Sequence, residues 1–225
     1  VLVLVLSRDL GNGLIFFLTY LFMLFVATSR AVYLGAGLGA GAAASALAWQ
    51  LFPHVQRRVE AWLDPWSDVA DTGYQIAQSL FAVGTGGWMG MGLDQGLPEK
   101  IPVVEKDFMI SAISEELGGL FAICLILICL GCFLQFMMIA VRMQAMFYKL
   151  IAFGLGCEYI IQVLLTVGGA VKFIPLTGMT LPLVSYGGSS IAGTFILFSV
   201  IQGLYILKRN EEEEDEEEWS ESKGK

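Results

Sequence analysis

Apolar residues occupy long blocks along this chain, and polar residues gather between those blocks. The blocks fall at about 13–29, 31–52, 117–141, 150–171 and 187–207. Each is close to the ~20 residues that a helix needs to cross ~30 Å of hydrocarbon. Because backbone groups in lipid must find partners within the protein, the blocks predict helices. The predicted fold is all-α, a polytopic integral membrane helix bundle with about five transmembrane helices.

The region of about 53–107 separates the second block from the third and is much longer than an ordinary connection. It begins with HVQRRVEAWLDPWSD, which predicts a helix that stops at Pro65. The amphipathic run GYQIAQSLFAVG follows, and a glycine-rich turn comes after it. Trp62 and Trp66 suit the lipid headgroup layer. We expect this region to be a large extracytoplasmic loop folded against the membrane surface.

A second polar segment, KFIPLTGMTLPLVSYGGSS at 172–190, precedes the last block. Pro175 and Pro182 prevent a continuous helix there. Open backbone at membrane depth is tolerated only where it lines protein or water. Its N–H groups, with the start of the next helix, could hold an anionic group such as phosphate. The alternative is that Ser189 is a plain N-cap.

Composition agrees with a membrane protein: the 225 residues are 56% hydrophobic and only 15% charged, with a net charge of −8. A soluble domain carries about a quarter charged residues. Much of the negative charge lies in the tail, NEEEEDEEEWSESKGK, which has no apolar periodicity. We therefore divide the chain into a membrane domain at 1–209 and a disordered acidic tail at 210–225. The tail is either a solvated end or a docking segment for a basic partner.

Metal and disulfide chemistry are not expected. The four cysteines lie in apolar blocks, and His54 is the only histidine, so no metal site or disulfide framework is predicted.

Lysine and arginine in the short connections set the predicted orientation. The residues on the side of the C-terminus are Arg30, Arg142, Lys149, Lys208 and Arg209, and those on the other side are Arg8 and Lys172. Cytoplasmic connections carry the excess of Lys and Arg. The C-terminus is therefore predicted to be cytoplasmic.

Two polar stripes repeat every four residues, which places each on one helix face. They are Asp107, Ser111 and Glu115 at the end of the loop, and Glu158, Gln162 and Thr166 in the fourth block. Glu158 falls near mid-span, where a charge facing lipid costs ~3 kcal/mol or more. We expect both stripes to line a shared polar cavity. The alternative is hydrogen bonding between helices by protonated or paired groups.

Several segments together resemble the SEDS family (shape, elongation, division and sporulation), the FtsW/RodA/SpoVE membrane proteins. They are RDLGNGLIFFL, RRVEAWLDPW, GYQIAQSL, GTGGWMGMGL, the IP…DF…EELG stretch and IPLTGMTLPLVSYGGSS. Family members usually have ten transmembrane helices. The start, VLVLVLS, looks like the end of a membrane helix, so the chain resembles the last five.

The resemblance implies a peptidoglycan glycosyltransferase of the bacterial plasma membrane that polymerises lipid II for division, elongation or sporulation. It implies a class B penicillin-binding protein as partner, membrane lipids around the bundle, and no nucleic acid. The family's essential loop aspartate corresponds to Asp107, with Pro102 and Phe108 also matching. Val103, Glu105 and Lys106 stand where the family commonly has Glu, His and Thr, so the aspartate carries over and its neighbours' contacts do not.

Polymerisation needs a sugar hydroxyl to attack an anomeric carbon and expel a lipid pyrophosphate. A carboxylate that takes the hydroxyl proton contributes ~10²–10⁴ in rate, and the leaving group needs cationic or N–H donors. The expected substrate-binding residues are Lys172, Ser185, Gly187, Gly188, Ser189, Ser190, Lys106, Arg57 and Arg58. Lys172 could instead extend to lipid headgroups. No cofactor is assigned, although a divalent cation could share the charge of the pyrophosphate.

Two other functions stay open at this point. A lipid II flippase would also need a polar cavity and an anion site, but no base in the loop. A non-catalytic partner of a penicillin-binding protein would not need Asp107 at all.

Overall fold

The computed structural model describes residues 10–69, 71 and 73–223, and it contains helices and no strand within those ranges. The helices are α1 (Leu10–Thr28), α2 (Ala31–Leu51), α3 (Pro53–Leu63), α4 (Tyr74–Gly86), α5 (Val104–Asp107), α6 (Met109–Glu116), α7 (Gly119–Arg142), α8 (Met146–Ala170) and α9 (Gly188–Lys223), with a 3₁₀ turn at Pro98–Lys100. The all-α prediction is confirmed. The expected helix remnant at 1–6 and Arg8 lie outside the described residues.

Five of these helices are long and apolar enough to cross a membrane: α1, α2, α7, α8 and the Gly188–Glu213 part of α9. They correspond to the five apolar blocks, with ends that differ by a few residues. The chain is therefore a multi-pass membrane protein, as its hydrophobic pattern predicts.

Helix α8 is the centre of the bundle and packs against α1, α7 and α9. Small residues let its neighbours approach: a Cβ on Gly154 would meet the Met23 side chain of α1, and one on Gly156 would meet Met137 of α7. Aromatic rings from three helices join on another side, where Phe136, Tyr159 and Phe198 pack edge-on with centroids 5.2 to 5.8 Å apart. These contacts fix α8, which carries Glu158 and Gln162.

Helix α2 packs mainly on α1 and none of its residues is buried. Its glycine pairs divide between two environments. Gly37 and Gly41 lie against Leu21 and Phe17 of α1, whereas a Cβ on Gly35 or Gly39 would meet nothing within 4 Å. Only the Gly37 and Gly41 pair is thus used for close packing against α1.

The long loop forms a layer at one end of the bundle, and its glycine-rich turn braces the start of α7. The N–H groups of Met91 and Gly92 donate to the carbonyls of Glu115 and Glu116, both at 2.9 Å, and Gly119 donates to Gly87 at 2.8 Å. The ends of α2 and α8 and the starts of α7 and α9 adjoin this layer. The loop therefore lies at one membrane surface, where polar side chains from several segments can meet.

The acidic tail differs from expectation because α9 continues as helix to Lys223. Glutamate is a good helix former, and two pairs four residues apart support the first turns of the extension. Lys208 contacts Glu212 at 3.1 Å and Arg209 contacts Glu213 at 2.7 Å. Residues 210–223 of the segment predicted to be disordered are thus helical, and the last two residues lie outside the described part of the chain.

Candidate functional site

Asp107 is presented at a break between two short helices. It is the last residue of α5, and the fully buried Phe108 separates α5 from α6. Val103, with φ +59, starts α5 from a left-handed conformation. The Tyr186 N–H donates to the Glu105 carbonyl at 2.7 Å, which ties α5 to the segment before α9. Asp107 therefore stands between the loop layer and the membrane helices.

A small cavity of about 210 Å³ has Asp107 in its wall. Arg57 and Arg58 of α3 face the same space, and Gln75 comes from α4. Arg58 Nη1 also donates to the Thr177 carbonyl at 3.4 Å. One carboxylate and two guanidinium groups thus share a space large enough for a small polar group.

A large cavity of about 560 Å³ lies between α1, α8 and α9. Its polar lining includes Asn12, Lys106, Glu158, Gln162, Thr180, Ser189 and Ser190, together with backbone at Gly187. Apolar side chains of α8 and α9, such as Leu155 and Val200, line the rest. The space is therefore polar on one side and apolar on the other, as a ligand with a charged head and a hydrocarbon tail requires.

The two cavities adjoin at Gly178, which lines both. Gly178 has φ +75, which favours glycine, and a Cβ there would lie 3.7 Å from Asp107 Oδ2. Lys106 lines the large cavity and the next residue, Asp107, lines the small one. A group bound across this boundary would contact both side chains.

The electrostatic environment of Asp107 combines burial with positive charge. Burial raises the pKa of its carboxyl group, and the Lys106 and Arg58 charges oppose that rise. The raised pKa makes the carboxylate a stronger proton acceptor than a solvated aspartate. A general base works best when its pKa approaches the working pH.

The non-helical segment that closes the large cavity is held by polar side chains of α8. Gln162 Nε2 donates to the Thr180 carbonyl at 2.8 Å, and Thr166 Oγ1 contacts the Met179 carbonyl at 3.1 Å. Thr180 Oγ1 donates to Ser190 Oγ at 2.7 Å, which joins the segment to α9. The polar stripe on α8 therefore positions this backbone, and Glu158 and Gln162 also face the cavity. Thr166 was expected to line the cavity, but it is buried beside it and anchors the segment.

Ser111 and Glu115 do not share a cavity with Asp107, contrary to expectation. The break at Phe108 removes Asp107 from the face of α6, and α4 packs over that face. The Ser111 and Ser79 hydroxyls are 2.6 Å apart, and Ser79 Oγ donates to the Ala170 carbonyl at 2.7 Å. Glu115 Oε1 accepts a hydrogen bond from the Leu97 N–H at 3.3 Å. Both side chains hold the loop layer together.

Lys172 and Ser185 also lie outside the two cavities. Lys172 has φ +60, and its Nζ donates to the Leu63 carbonyl at the end of α3, at 3.3 Å. Ser185 is buried, and its Oγ accepts from the Leu181 N–H at 3.0 Å. Gly188 begins α9 between the cavity-lining residues Gly187 and Ser189. Of the predicted substrate-binding residues, the structure brings together Lys106, Gly187, Ser189 and Ser190 in one cavity and Arg57 and Arg58 in the other.

The lining residues that were not predicted include Asn12, Gln75, Gly178 and Thr180. Each lies within a segment that carries the family resemblance, but no spacing rule distinguishes it from its neighbours. Gln75 offered one signal, because it is a polar residue on an amphipathic helix. Among the described residues, no three His, Cys, Asp or Glu side chains gather closely enough to hold a metal ion.

Comparison with known proteins finds a family and several relatives. The cell cycle protein family FtsW/RodA/SpoVE matches residues 1–210. The peptidoglycan glycosyltransferase RodA of Mycobacterium tuberculosis is 39% identical over 88% of this chain and 42% of its own length. Stage V sporulation protein E of Bacillus subtilis is 36% identical over 88% of this chain and 54% of its own length.

A solved structure has the same fold. A chain from a peptidoglycan synthase complex that coordinates polymerization and crosslinking superposes with a TM-score of 0.72 and 26% identity, covering 92% of this chain and 57% of that one. This chain spans about half the length of the curated relatives it matches.

Proposed function

The chain belongs to the FtsW/RodA/SpoVE family of cell cycle proteins, and from that premise we propose that it is part of a peptidoglycan glycosyltransferase that polymerises lipid II. One observation carries the proposal. A half-buried carboxylate, Asp107, stands where a cavity with two arginines adjoins a larger amphipathic cavity within the bundle. The relatives named RodA and FtsW are described as peptidoglycan glycosyltransferases, which supports this reading.

In the proposed reaction, Asp107 accepts the proton of a sugar hydroxyl as the hydroxyl oxygen bonds to the anomeric carbon of a second lipid-linked sugar. The bond from that carbon to the pyrophosphate oxygen breaks, and its electron pair leaves with the lipid pyrophosphate. Raising the pKa of Asp107 by burial favours this proton transfer.

The developing negative charge on the pyrophosphate needs donors that are already in place. Lys106 supplies a cation at the boundary of the two cavities, and Ser189 and Ser190 supply hydroxyls in the first turn of α9. The positive end of the α9 dipole adds to their effect. The hydrocarbon tail would follow the apolar side of the large cavity between α8 and α9. No resident cofactor is assigned; a divalent cation would bind with the pyrophosphate of the substrate.

The proposed orientation places the loop layer and both cavities on the outer side of the plasma membrane, with the C-terminus in the cytoplasm. Arg30, Arg142, Lys149, Lys208 and Arg209 then lie on the inner side, in agreement with the positive-inside rule. The expected partner is a class B penicillin-binding protein, since a structural relative comes from a complex that couples polymerization to crosslinking.

A lipid II flippase is the second candidate, and Glu158 is the observation that favours it. A carboxylate in the wall of a cavity part-way along a spanning helix is typical of transport pathways. A flippase has no need of a base beside Arg58.

The test compares the complete purified protein with its Asp107→Ala variant, together with the penicillin-binding partner. The proposed function predicts that the wild type converts lipid II to glycan strands and the variant does not. If the wild type moves lipid II across vesicle membranes without polymerising it, and Asp107→Ala moves it equally well, the flippase is correct. If neither activity is found and Asp107 is dispensable for partner binding, the protein is a non-catalytic partner.

A further inference from the structure

Helix α3, which carries Arg57 and Arg58, is held along its length by the segment that follows α8. At the middle of α3, Arg58 Nη1 donates to the Thr177 carbonyl at 3.4 Å. At its end, Trp62 Nε1 donates to the Lys172 carbonyl at 3.1 Å, and Lys172 Nζ returns a hydrogen bond to the Leu63 carbonyl at 3.3 Å. The backbone and the side chain of Lys172 thus both contact the end of α3.

The conformation of Lys172 is unusual for its residue type. Its φ of +60 lies in the left-handed region, which residues other than glycine seldom occupy. This turn presents the Lys172 carbonyl to the indole of Trp62. The ammonium group meets the last turn of α3, where a cation is favourable for the helix dipole.

Ala61 is the one buried residue of α3, so packing of its side chains holds this helix only weakly. An element with few buried contacts opens at low free energy, so its position depends on the contacts it does make. Residues four apart share a helix face, and Trp62 therefore lies on the same face as Arg58. A contact that fixes the position of Trp62 therefore also fixes the position of Arg58 relative to Asp107.

We propose that Lys172 is a positioning residue that clamps the end of α3, through Trp62 and the Leu63 carbonyl, and so holds Arg58 beside Asp107. The inference rests on the proposed function, since it matters for turnover only if Asp107 is the base. It gives Lys172 a role other than contact with substrate, at a position that neither cavity includes.

The charged groups around Asp107 determine how the clamp can change the pKa of its carboxyl group. Arg57 and Arg58 approach from α3, and Glu105 and Lys106 belong to α5; the other contacting elements supply the neutral residues Gln75, Leu176 and Gly178. Arg58 opposes the rise in the pKa of Asp107 that burial causes. Replacing Arg58 with glutamine should therefore raise the pH at which Asp107 becomes protonated. That shift should shrink if Arg58 has already moved away.

The experiment measures the effect of Arg58→Gln in four backgrounds of the complete protein: wild type, Lys172→Met, Lys172→Arg and Trp62→Phe. Trp62→Phe keeps a six-membered aromatic ring and removes the N–H donor together with the five-membered ring of the indole. It tests the clamp even if Lys172→Met folds poorly. Two readouts are recorded against pH. One is lipid II polymerisation, and the other is labelling of Asp107 by a carboxyl-directed carbodiimide, followed by mass spectrometry, which needs no turnover.

The proposal predicts that Arg58→Gln moves both pH midpoints upward in the wild type and in Lys172→Arg. In Lys172→Met and Trp62→Phe, Arg58→Gln should move each pH midpoint by less than roughly half of its shift in the wild type, as expected for coupled sites. A purely structural role of Lys172 would lower thermal stability and leave the Arg58 shift unchanged. Equal shifts in all four backgrounds, or no shift in the wild type, would overturn the proposal. If the labelling midpoints behave as predicted but lipid II is not polymerised, the clamp stands and the proposed function fails.

Discussion

Asp107 lies beside two cations that reach it from different parts of the chain. Lys106 precedes it on α5, whereas Arg58 is brought to it by α3. Burial favours the protonated form and the cations favour the ionised form, so the position of α3 adjusts how strong a base the carboxylate is. The residue type and family resemblance predicted Asp107, but the proximity of Arg58 depends on how the loop folds over the membrane helices.

Lys172 illustrates what sequence reasoning misses at this scale. Its charge and its position directly after a spanning helix predicted a contact with pyrophosphate. The structure directs its ammonium group to the Leu63 carbonyl because the backbone turns through a left-handed conformation there. No rule based on spacing predicts positive φ at a lysine.

The buried serine pair between α4, α6 and α8 gives a test of the loop's attachment. Ser79→Ala should lower stability by ~1–3 kcal/mol, because it leaves the Ser111 hydroxyl and the Ala170 carbonyl buried without a partner. Ser111→Ala should cost less, since Ser79 still donates to Ala170. Thermal unfolding in detergent measures both, with Ser199→Ala on an exposed face of α9 as control. Equal losses for the two variants would show that this network is assigned incorrectly.

At the scale of elements, hydrophobic pattern and proline positions predicted most of what is observed. Pro175 and Pro182 keep 172–187 out of helical structure, and the five spans fall where the apolar blocks do. The stripe of Asp107, Ser111 and Glu115 failed as a shared face because Phe108 interrupts the helix. The burial of Phe108 depends on packing between α6 and its neighbours, which the local sequence does not reveal.

The contact between α4 and α6 depends on a glycine, and α4 supplies a matched control. Gly86 is buried, and a Cβ there would collide with the Ser114 carbonyl, whereas a Cβ on the exposed Gly84 would meet nothing within 4 Å. Gly86→Ala should therefore lower stability by about 1–3 kcal/mol through overpacking. Gly84→Ala should be neutral or stabilise by up to about 1 kcal/mol, since alanine is the better helix former. Thermal unfolding decides, and a similar melting temperature for both variants would contradict the close packing.

At the scale of the whole molecule, the large cavity lies between spanning helices and a surface loop that are far apart in sequence. The family resemblance anticipated this arrangement over nearly the whole chain, and the matched region ends at residue 210. The helical extension beyond that point could not be predicted from apolar periodicity, because the Lys208–Glu212 and Arg209–Glu213 pairs that support it are contacts between charged side chains along one helix.

The orientation of the whole chain in the membrane can be tested with reporter proteins. A fluorescent protein fused to the C-terminus should be fluorescent, and alkaline phosphatase at the same place should be inactive, if the C-terminus is cytoplasmic. A phosphatase inserted at the exposed turn between Asp94 and Gln95 should be active, which provides the control on the opposite side. The reverse pattern would place both cavities on the wrong face for a lipid-linked sugar outside the cell.

The most direct test of the catalytic claim is the rate of lipid II polymerisation by the complete protein and its Asp107→Asn variant, measured across pH. Asparagine keeps the size of the side chain and loses the proton acceptor. We predict a fall of at least ~10²-fold at neutral pH, with partner binding retained and with Asp94→Asn, on an exposed turn, unaffected. The wild-type rate should decline as pH falls through the raised pKa of Asp107, and the residual rate of the variant should lack that decline. A variant that polymerises within a few-fold of wild type, with the same acid limb, would contradict the assignment of Asp107 as the base.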